Sequence, residues 1–494
     1  MRIDSLLRAR TVSGIFWTFL EQFSKRGISL LVTLLLARLL LPEDFGLLAM
    51  ISVFVTIASS LMDSGIKQAV IRKKKVDQKD LDTAFYTNVA LGLMAYLILF
   101  FFAPLIASFY DEERITLLIR VAGLVVVINS FHIIQSAVLT RNLNFRIQLK
   151  ASIPASFVSG LAAVFVAYHG GGVWALITQL LLSSLLLATF LWWLQNWRPS
   201  LSFDYSVLKE LYSFGYKLFL ASFLSLVAKN IYVLVIASLF GAAVAGLYYF
   251  AHRIKELVID QLVRAIQKVT YPALSKLQDE DERLKEGYRK VLTVTTFVLF
   301  PCITMMAALA SPIFEIAFPD RWNPAIPYLQ IMCIASLLYP LHAINLNILK
   351  VKGRSDLYLG ISVFKKVMTF SILFASYRFG VVGILIGQIF LGVLAYLPNS
   401  YYSDKLINYS AVEQFKDFFP AFIMSSSVSG VVFLAVQLSY FSSLLEVLIY
   451  GALGSVAYLL LCFIFKVPGF SLFCEMVGGR FPIIRKMLPK GKHA

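Results

Sequence analysis

Charged side chains are scarce in this chain, and acidic ones are the scarcest. Only 15% of its 494 residues are charged while 59% are hydrophobic, whereas soluble domains carry about 25% charged residues. The 28 aspartates and glutamates are outnumbered by 45 lysines and arginines. This composition excludes an ordinary soluble protein. It also argues against nucleic acid as a partner, because the basic residues are dispersed over many loops rather than gathered in one region.

Cysteine is nearly absent as well. The four cysteines are Cys302, Cys333, Cys462 and Cys474, and no two of them have C-x-x-C spacing. All lie in or beside apolar segments, where a free cysteine behaves as a small hydrophobic residue. We therefore expect no disulfide framework, no metal site and no cofactor.

The sequence has no hydrophilic stretch long enough for a soluble domain. The longest predicted outer loops contain SFYDEER (108–114) and FPDRWNPA (318–325). Membrane-embedded glycosyltransferases and polysaccharide polymerases generally carry their catalytic groups on a sizeable outer loop. The short loops argue against that class, and we expect the protein not to be an enzyme.

Long apolar runs are what the sequence has in abundance. Each is long enough to cross about 30 Å of hydrocarbon as a helix that rises 1.5 Å per residue. Fourteen can be drawn: 12–40, 42–64, 83–110, 114–139, 150–168, 173–197, 211–240, 243–268, 288–317, 325–349, 356–377, 381–403, 414–438 and 443–465. The predicted fold class is an all-α integral membrane protein with about 14 transmembrane helices.

Positive charge alternates between the two sides of these segments. If the N-terminus is cytoplasmic, the odd-numbered loops hold only Arg38, Arg114, Arg321 and Arg378. Nearly all other basic residues outside the segments lie in the even-numbered loops and the two tails, including the tail from Arg480 to Lys492. Loops rich in lysine and arginine stay on the cytoplasmic side. We therefore expect a multi-pass inner-membrane protein with both termini in the cytoplasm.

A weak internal repeat relates the two halves at an offset of 200 residues. LLARLLLPEDFGLLAM (35–50) and VIASLFGAAVAGLYYF (235–250) share four aligned identities, among them Gly46 with Gly246. Chance similarity between apolar stretches is the alternative. Both stretches are an outward helix, a short turn and an inward helix, which gives a parallel repeat of the kind found in rocking transporters.

The repeat predicts how the chain is organised. We expect an N-terminal bundle of helices 1–6 over residues 1–200 and a C-terminal bundle of helices 7–12 over residues 201–410. An added helix pair, 13–14, and the basic cytoplasmic tail would occupy residues 411–494.

Ionisable residues inside apolar segments are the strongest functional signal, because each costs several kcal/mol at the bilayer centre. Glu21 and Lys25 lie four residues apart on one face of the first segment, with Arg26 beside them. They either fix helix packing as a neutral pair or line a cavity, and the charge of Arg26 favours the cavity. By the repeat, Lys229 lies one turn from the counterpart of Lys25. The two lysines either form an anion site or pair locally with carboxylates.

The eighth segment is the most polar one. Arg253, Glu256 and Asp260 recur at α-helical spacings of three and four, so they share a face, and Lys255 lies beside them. An internal ion-pair ladder is the structural alternative to a cavity lining. For Arg253, which is deeper in the segment, we favour the cavity.

The eleventh segment carries Lys365 and Lys366 near its middle. Adjacent helical residues point about 100° apart, so at most one faces a cavity while the other pairs or snorkels. Cations thus outnumber carboxylates inside the membrane. Arginine and lysine suit phosphate, which predicts a cavity for an anionic head group rather than for a cationic drug.

Five motifs are spread over nearly the whole chain. They are LARLLLPEDFGLLAMISVF (36–54), DSGIKQAVIRKKK (63–75), LTRNLNFR (139–146), YPALSKLQDEDERLKEGYRK (271–290) and FPDRWNPAIPYLQIMCI (318–334). Each alone is degenerate, but their order and spacing are far more specific. Together they resemble the Wzx-type polysaccharide flippases of the MOP exporter superfamily, especially the branch of lipopolysaccharide and colanic-acid exporters.

This resemblance implies two pseudo-symmetric six-helix bundles in a V plus two extra helices, in a bacterial inner membrane. The implied activity is alternating-access transfer of undecaprenyl-pyrophosphate-linked oligosaccharide to the outer leaflet, for surface polysaccharide such as O-antigen, colanic acid or exopolysaccharide. The implied partners are that substrate, membrane lipid and the polysaccharide polymerase machinery. Coupling to H⁺ or Na⁺ stays open.

Ten residues are candidates for the site. Those predicted to bind substrate are Lys25, Arg26, Lys229, Arg253, Lys255, Lys365 and Lys366, and the carboxylates predicted to pair or couple are Glu21, Glu256 and Asp260. Lipid II flippases of the same superfamily use arginines in the first, second and eighth helices. The second segment here has no basic residue, which argues against lipid II as the substrate.

Other functions stay open from the sequence alone. An ion-coupled drug or small-solute antiporter of the same superfamily would depend on carboxylates of the N-terminal bundle, for which Glu21 and Asp63 are the candidates. A membrane glycosyltransferase or polymerase and a non-transporting scaffold are the other two alternatives.

Overall fold

The computed structural model describes residues 2–478, and in this range the chain forms helices and no β-strand. The predicted basic tail, Arg480 to Lys492, lies outside the described residues. The all-α class is therefore confirmed for the described part of the chain.

The chain divides into two compact units, Met1–Tyr249 and Phe250–Ala494. Whether the functional bundles end at residues 200 and 410, as the repeat predicts, stays a prediction.

The first unit is built from α1 to α9 and most of α10. The bounds are α1 Arg2–Leu39, α2 Pro42–Asp63, α3 Ile66–Arg72, α4 Gln78–Tyr110, α5 Arg114–Ala122, α6 Leu124–Ser130, α7 Ile133–Arg141, α8 Phe145–Tyr168, α9 Val173–Leu194 and α10 Tyr205–Lys255. Within this unit α8 packs against α1 and α9, and α2 packs against α4.

The second unit continues from the end of α10. It contains a π-helix Glu256–Asp260, α11 Gln261–Ser275, α12 Asp281–Ala308, α13 Ala310–Ala317, a 3-10 helix Asp320–Ala325, α14 Ile326–Ser336, α15 Tyr339–Val351, α16 Ser355–Ser376, a 3-10 helix Tyr377–Phe379, α17 Gly380–Ile407, α18 Ala411–Gln437, α19 Ser443–Ile464 and α20 Pro468–Gly478. Here α12 packs against α18, and α17 packs against α14, α15 and α16.

Among residues 2–478, ten helical stretches are long and apolar enough to cross a membrane. They become eleven if Arg114–Ser130 and Ile133–Arg141, which are bent by 41°, form one span. Two stretches, Ser222–Ser275 and Asp356–Ile407, have 54 and 52 residues, more than twice the ~20 that one span needs. The chain is thus a multi-pass membrane protein, and the count of 14 spans stays a prediction.

The bounds of α2 show how local sequence sets an element. Pro42 occupies the first helical position, where its missing N–H costs nothing. The Asp44 carboxylate accepts a hydrogen bond from the Leu41 amide at 2.9 Å. At the other end Ser64 and Gly65 adopt positive φ, which stops the helix and turns the chain into α3.

One close helix crossing in the first unit follows the internal repeat. A Cβ atom on Gly46 would overlap the carbonyl oxygen of Ala242, and one on Gly246 would overlap that of Pro42. These residues pair at the same offset of 200, so the contact is reciprocal. Two segments related by a local twofold axis meet in this way, and only glycine lets the backbones approach so closely.

Candidate substrate site

Glu21 is buried where α1 packs against α8. Its carboxylate accepts a hydrogen bond from the Ser152 hydroxyl at 3.2 Å and lies 3.7 Å from the Lys25 ammonium. The Glu21 side chain is 12% exposed and the Lys25 side chain 38%. The ion pair expected from their spacing is therefore present. Because an ammonium has three N–H donors, Lys25 can keep this pair and still bind a second anion on its exposed side.

Other polar residues of the first unit converge on Lys25. Both Lys25 and Lys67 lie within electrostatic range of the His132 imidazole. The backbone amide of Lys67 donates to the Asp63 carboxylate at 3.3 Å. This cluster joins α1, the α2–α3 turn and the start of α7. The sequence analysis missed it because Lys67 lies outside the apolar segments drawn there.

His132 is held by a single side-chain contact in the described structure. One ring nitrogen, Nε2, lies 3.1 Å from the Asn129 side-chain oxygen. The other, Nδ1, is buried with no hydrogen-bond partner among the described residues. The imidazole therefore lies beside two lysines with one nitrogen still able to bind.

Arg26 and Lys229 belong to the same unit as Lys25. Arg26 is partly buried on α1, and Lys229 is exposed on α10. That Lys25 and Lys229 face each other across an anion site stays a prediction.

The polar stripe of the eighth segment is interrupted by the π-helix. Arg253 lies 3.4 Å from Glu256, as α-helical spacing predicts. Asp260 instead lies 3.8 Å from Lys255, with side chains 14% and 17% exposed. In a π-helix the turn closes from residue i to i+5, so these two residues, five apart, come onto one side. The α-helical register assumed from the sequence does not continue through Asp260.

Lys255 and Arg253, the two cations beside the π-helix, differ in exposure. Lys255 is largely buried against Asp260, while the Arg253 side chain is 40% exposed despite its contact with Glu256. Single π-helical turns occur frequently at functional sites. Of these two cations, Arg253 is therefore the one better placed to meet a ligand.

Lys365 on α16 lies within electrostatic range of His342 on α15. The His342 Nδ1 is 2.9 Å from the Asn399 amide of α17, so three helices of the second unit meet here. Lys366 is partly buried next to it. Which of the two lysines contacts substrate stays a prediction.

The fold is shared with solved transporters. The chain superposes on the lipid II flippase MurJ, in its inward closed conformation, with a TM-score of 0.73 over 91% of this chain and 98% of that one, at 15% sequence identity. An identity this low carries the fold alone.

Two relatives cover most of the sequence. The lipopolysaccharide biosynthesis protein WzxC of Escherichia coli (strain K12) is 26% identical over 416 residues, which are 83% of this chain and 84% of that protein. The teichuronic acid biosynthesis protein TuaB of Bacillus subtilis (strain 168) is 25% identical over 468 residues, 91% of this chain and 94% of TuaB.

The family model described as "Polysaccharide biosynthesis protein" matches residues 35–327, which is more than half of the chain. This range includes four of the five motifs in full and the first part of the fifth, FPDRWNPAIPYLQIMCI (318–334). The chain therefore belongs to the polysaccharide biosynthesis protein family.

Proposed function

We propose that this protein is a flippase for lipid-linked oligosaccharides. It moves undecaprenyl-pyrophosphate-linked repeat units from the cytoplasmic to the outer leaflet of a bacterial inner membrane, by alternating access through a cationic cavity. The product serves surface polysaccharide synthesis. The observation that carries this proposal is the excess of lysine and arginine over carboxylates on membrane-embedded helices of both units, in a chain of this family.

The proposal separates cations that bind the substrate from one that stabilises the fold. Lys25, Lys229 and Arg253, with Lys365 or Lys366, bind the pyrophosphate, since both residue types form charge-assisted hydrogen bonds with phosphate oxygens. The sugars occupy the aqueous part of the cavity, and the polyprenyl chain stays in lipid. Lys255 forms an ion pair with Asp260. Its role in the proposal is to stabilise the π-helix rather than to contact the substrate.

Transport requires that the substrate bind two conformational states with different affinities. The carboxylates supply that difference in affinity. Glu21 is already satisfied in part by Ser152, so Lys25 can transfer from Glu21 to a phosphate without leaving a bare buried charge. Glu256 stands in the same relation to Arg253. A ligand shifts a conformational equilibrium only by its differential affinity for the two states. This exchange of anionic partners provides that differential affinity, with H⁺ or Na⁺ as the candidate coupling ion.

The relatives support a lipid-linked saccharide as the substrate. WzxC and TuaB are named for lipopolysaccharide and teichuronic acid biosynthesis. Both names point to the synthesis of saccharide polymers.

The test is genetic complementation with charge reversals. Lys25→Glu, Lys229→Glu and Arg253→Glu are expressed one by one in a host that lacks its own exporter, and membrane levels are measured. We expect surface polysaccharide to be lost and lipid-linked repeat units to accumulate inside, because each reversal places a carboxylate where the pyrophosphate binds. Glutamine variants at the same positions separate a lost cation from a repulsive anion.

Arg283→Glu is the matched control. Its side chain is 71% exposed and pairs with exposed Glu280, so this reversal should leave export intact. Export that survives all three cavity reversals at normal membrane levels contradicts the proposal. If export then depends on Glu21 and Asp63 instead, an ion-coupled antiporter explains the protein better, and new glycosidic bonds made by the purified protein would indicate a polymerase.

A further inference from the structure

A second group of basic residues lies at the end of α3, outside the apolar segments. The end of α3 and the start of α10 line an open hollow of about 680 Å³, within the range of small-molecule sites. The residues that matter in it are Arg72, Lys73, Lys74, Lys75, Glu210 and Ser213. We call it the α3–α10 hollow.

The basic run of the hollow is fixed in place by an arginine from α7. The Arg141 guanidinium donates hydrogen bonds to the carbonyl oxygens of Val70, Ile71, Lys73 and Lys74. These carbonyls follow the end of α3 and would otherwise lack partners. The turn that carries the four cations is therefore held at a defined position.

Lys73 is fixed as well. Its ammonium donates to Asp80 and to Glu210, each at 2.8 Å. Although partial burial opposes the effect, the hydrogen bonds from Lys73 to these two carboxylates raise the pKa of the ammonium above its ordinary value. Lys73 thus remains charged and ties α4 to α10 across the floor of the hollow.

The charge balance of the hollow is positive. Four consecutive cations are accompanied by two carboxylates, Asp80 and Glu210, and both of these carboxylates are bonded to Lys73. Lys74 and Lys75 are exposed at the rim, as is Arg72. A positive charge that served only to orient the chain in the membrane would need no fixed geometry. The hydrogen bonds from Arg141 to four backbone carbonyls supply such a fixed geometry for the cations that follow α3.

We propose that the α3–α10 hollow binds the phosphate of a lipid head group in the leaflet that the charge asymmetry assigns to the cytoplasm. Its preferred ligand is the diphosphate of the lipid-linked substrate, which the hollow holds before the diphosphate reaches the cations inside the membrane. This preference rests on the proposed function. Anionic phospholipid is the other source of the same chemistry.

The test measures lipid binding to the full-length protein in nanodiscs of phosphatidylcholine. The probes are undecaprenyl pyrophosphate and phosphatidylglycerol, with free inorganic pyrophosphate as the competitor. The variant is Arg72→Gln, Lys74→Gln and Lys75→Gln combined, which leaves the Lys73 bonds in place. The control combines Lys276→Gln, Arg283→Gln and Lys290→Gln, three exposed residues on the same predicted side of the membrane.

A separate background isolates the hollow from the cavity. Protein with Lys25, Lys229 and Arg253 all changed to glutamine should still bind undecaprenyl pyrophosphate, and inorganic pyrophosphate should displace it. Adding the hollow variant should weaken this binding at least tenfold, while the control triple changes it less than twofold.

Three outcomes overturn the inference. The cavity background binds no undecaprenyl pyrophosphate, or the hollow variant does not weaken its binding, or only phosphatidylglycerol binding falls. In the last case the hollow is a phospholipid site and not a substrate site. None of these depends on complementation, so the flippase proposal can survive while this inference fails, and the reverse also holds.

Discussion

Two polar regions, one in each unit, differ in how completely their side chains are hydrogen-bonded. In the second unit, Asn345 accepts from Tyr288 at 2.6 Å and from Ser403 at 2.9 Å, and it donates to Gln414 at 3.0 Å. The Gln414 amide in turn donates to the Tyr409 carbonyl at 3.1 Å. Every group of this network has a partner, and the network ties α12, α15, α17 and α18 together.

Around Lys25 in the first unit the polar groups are only partly satisfied. Lys25 lies 3.7 Å from Glu21 with much of its side chain exposed, and the His132 Nδ1 has no hydrogen-bond partner among the described residues. Tight packing comes from backbone contact at Gly46 and Gly246 instead. A saturated network rigidifies a fold, while partly satisfied charges can still bind a ligand. The contrast separates polar groups that hold the fold from those that can act on a substrate.

The largest effect on stability is expected at the glycine crossing. Gly46→Ala puts a Cβ into a backbone carbonyl, which no side-chain rotation relieves, so the loss should reach or exceed the ~3 kcal/mol upper end of usual overpacking costs. The measurement is the thermal midpoint and the yield of monodisperse protein in detergent. Gly27→Ala is the control, because nothing lies within 4 Å of its Cβ, and it should be neutral or stabilising. Equal behaviour of the two variants would contradict the close contact.

The next effect tests the saturated network of the second unit. Asn345→Leu removes the acceptor of the buried Tyr288 hydroxyl, at a cost of about 1–3 kcal/mol for the unsatisfied group. Gln414 loses one hydrogen bond but still accepts from Tyr396. We expect a clear fall in the thermal midpoint. Asn347→Leu on the same helix is the matched control, since Asn347 is also buried but its Nδ2 has no partner in the described structure. A larger loss for Asn347→Leu would show that the network does not stabilise the unit.

The smallest effect on stability is expected at Lys25. An ion pair this exposed contributes about 0–1 kcal/mol, so Lys25→Gln should barely move the thermal midpoint. Export should nevertheless fall, because the cation is lost from the substrate site. The thermal midpoint and the export activity of Lys25→Gln should both be measured and compared. A midpoint that falls as far as in Asn345→Leu would make Lys25 a structural residue.

The site is less predictable from the sequence than the fold. Spacing alone indicated that Glu21 and Lys25 can pair and that Arg253 and Glu256 share a face, because α-helical periodicity fixes which residues of one helix are neighbours. The same rule missed the Lys255–Asp260 pair, because that pair depends on a π-helical turn that α-helical spacing does not predict. It also missed Ser152 and the clamp by Arg141, whose partners are about 70 residues away or more, and Lys67, which lies outside the apolar segments.

The sequence by itself determined that this is a multi-pass helical membrane protein of the polysaccharide biosynthesis family. Hydropathy is summed over whole segments, and the family motifs are spread along the chain. Neither signal therefore depends on how the helices pack. The 200-residue repeat aligned Gly46 with Gly246 but did not indicate that the two glycines meet. Only the tertiary structure decided which carboxylate satisfies which cation and which polar groups stay partly unsatisfied. Those choices depend on how helices distant in sequence pack together, and local periodicity contains no information on that packing.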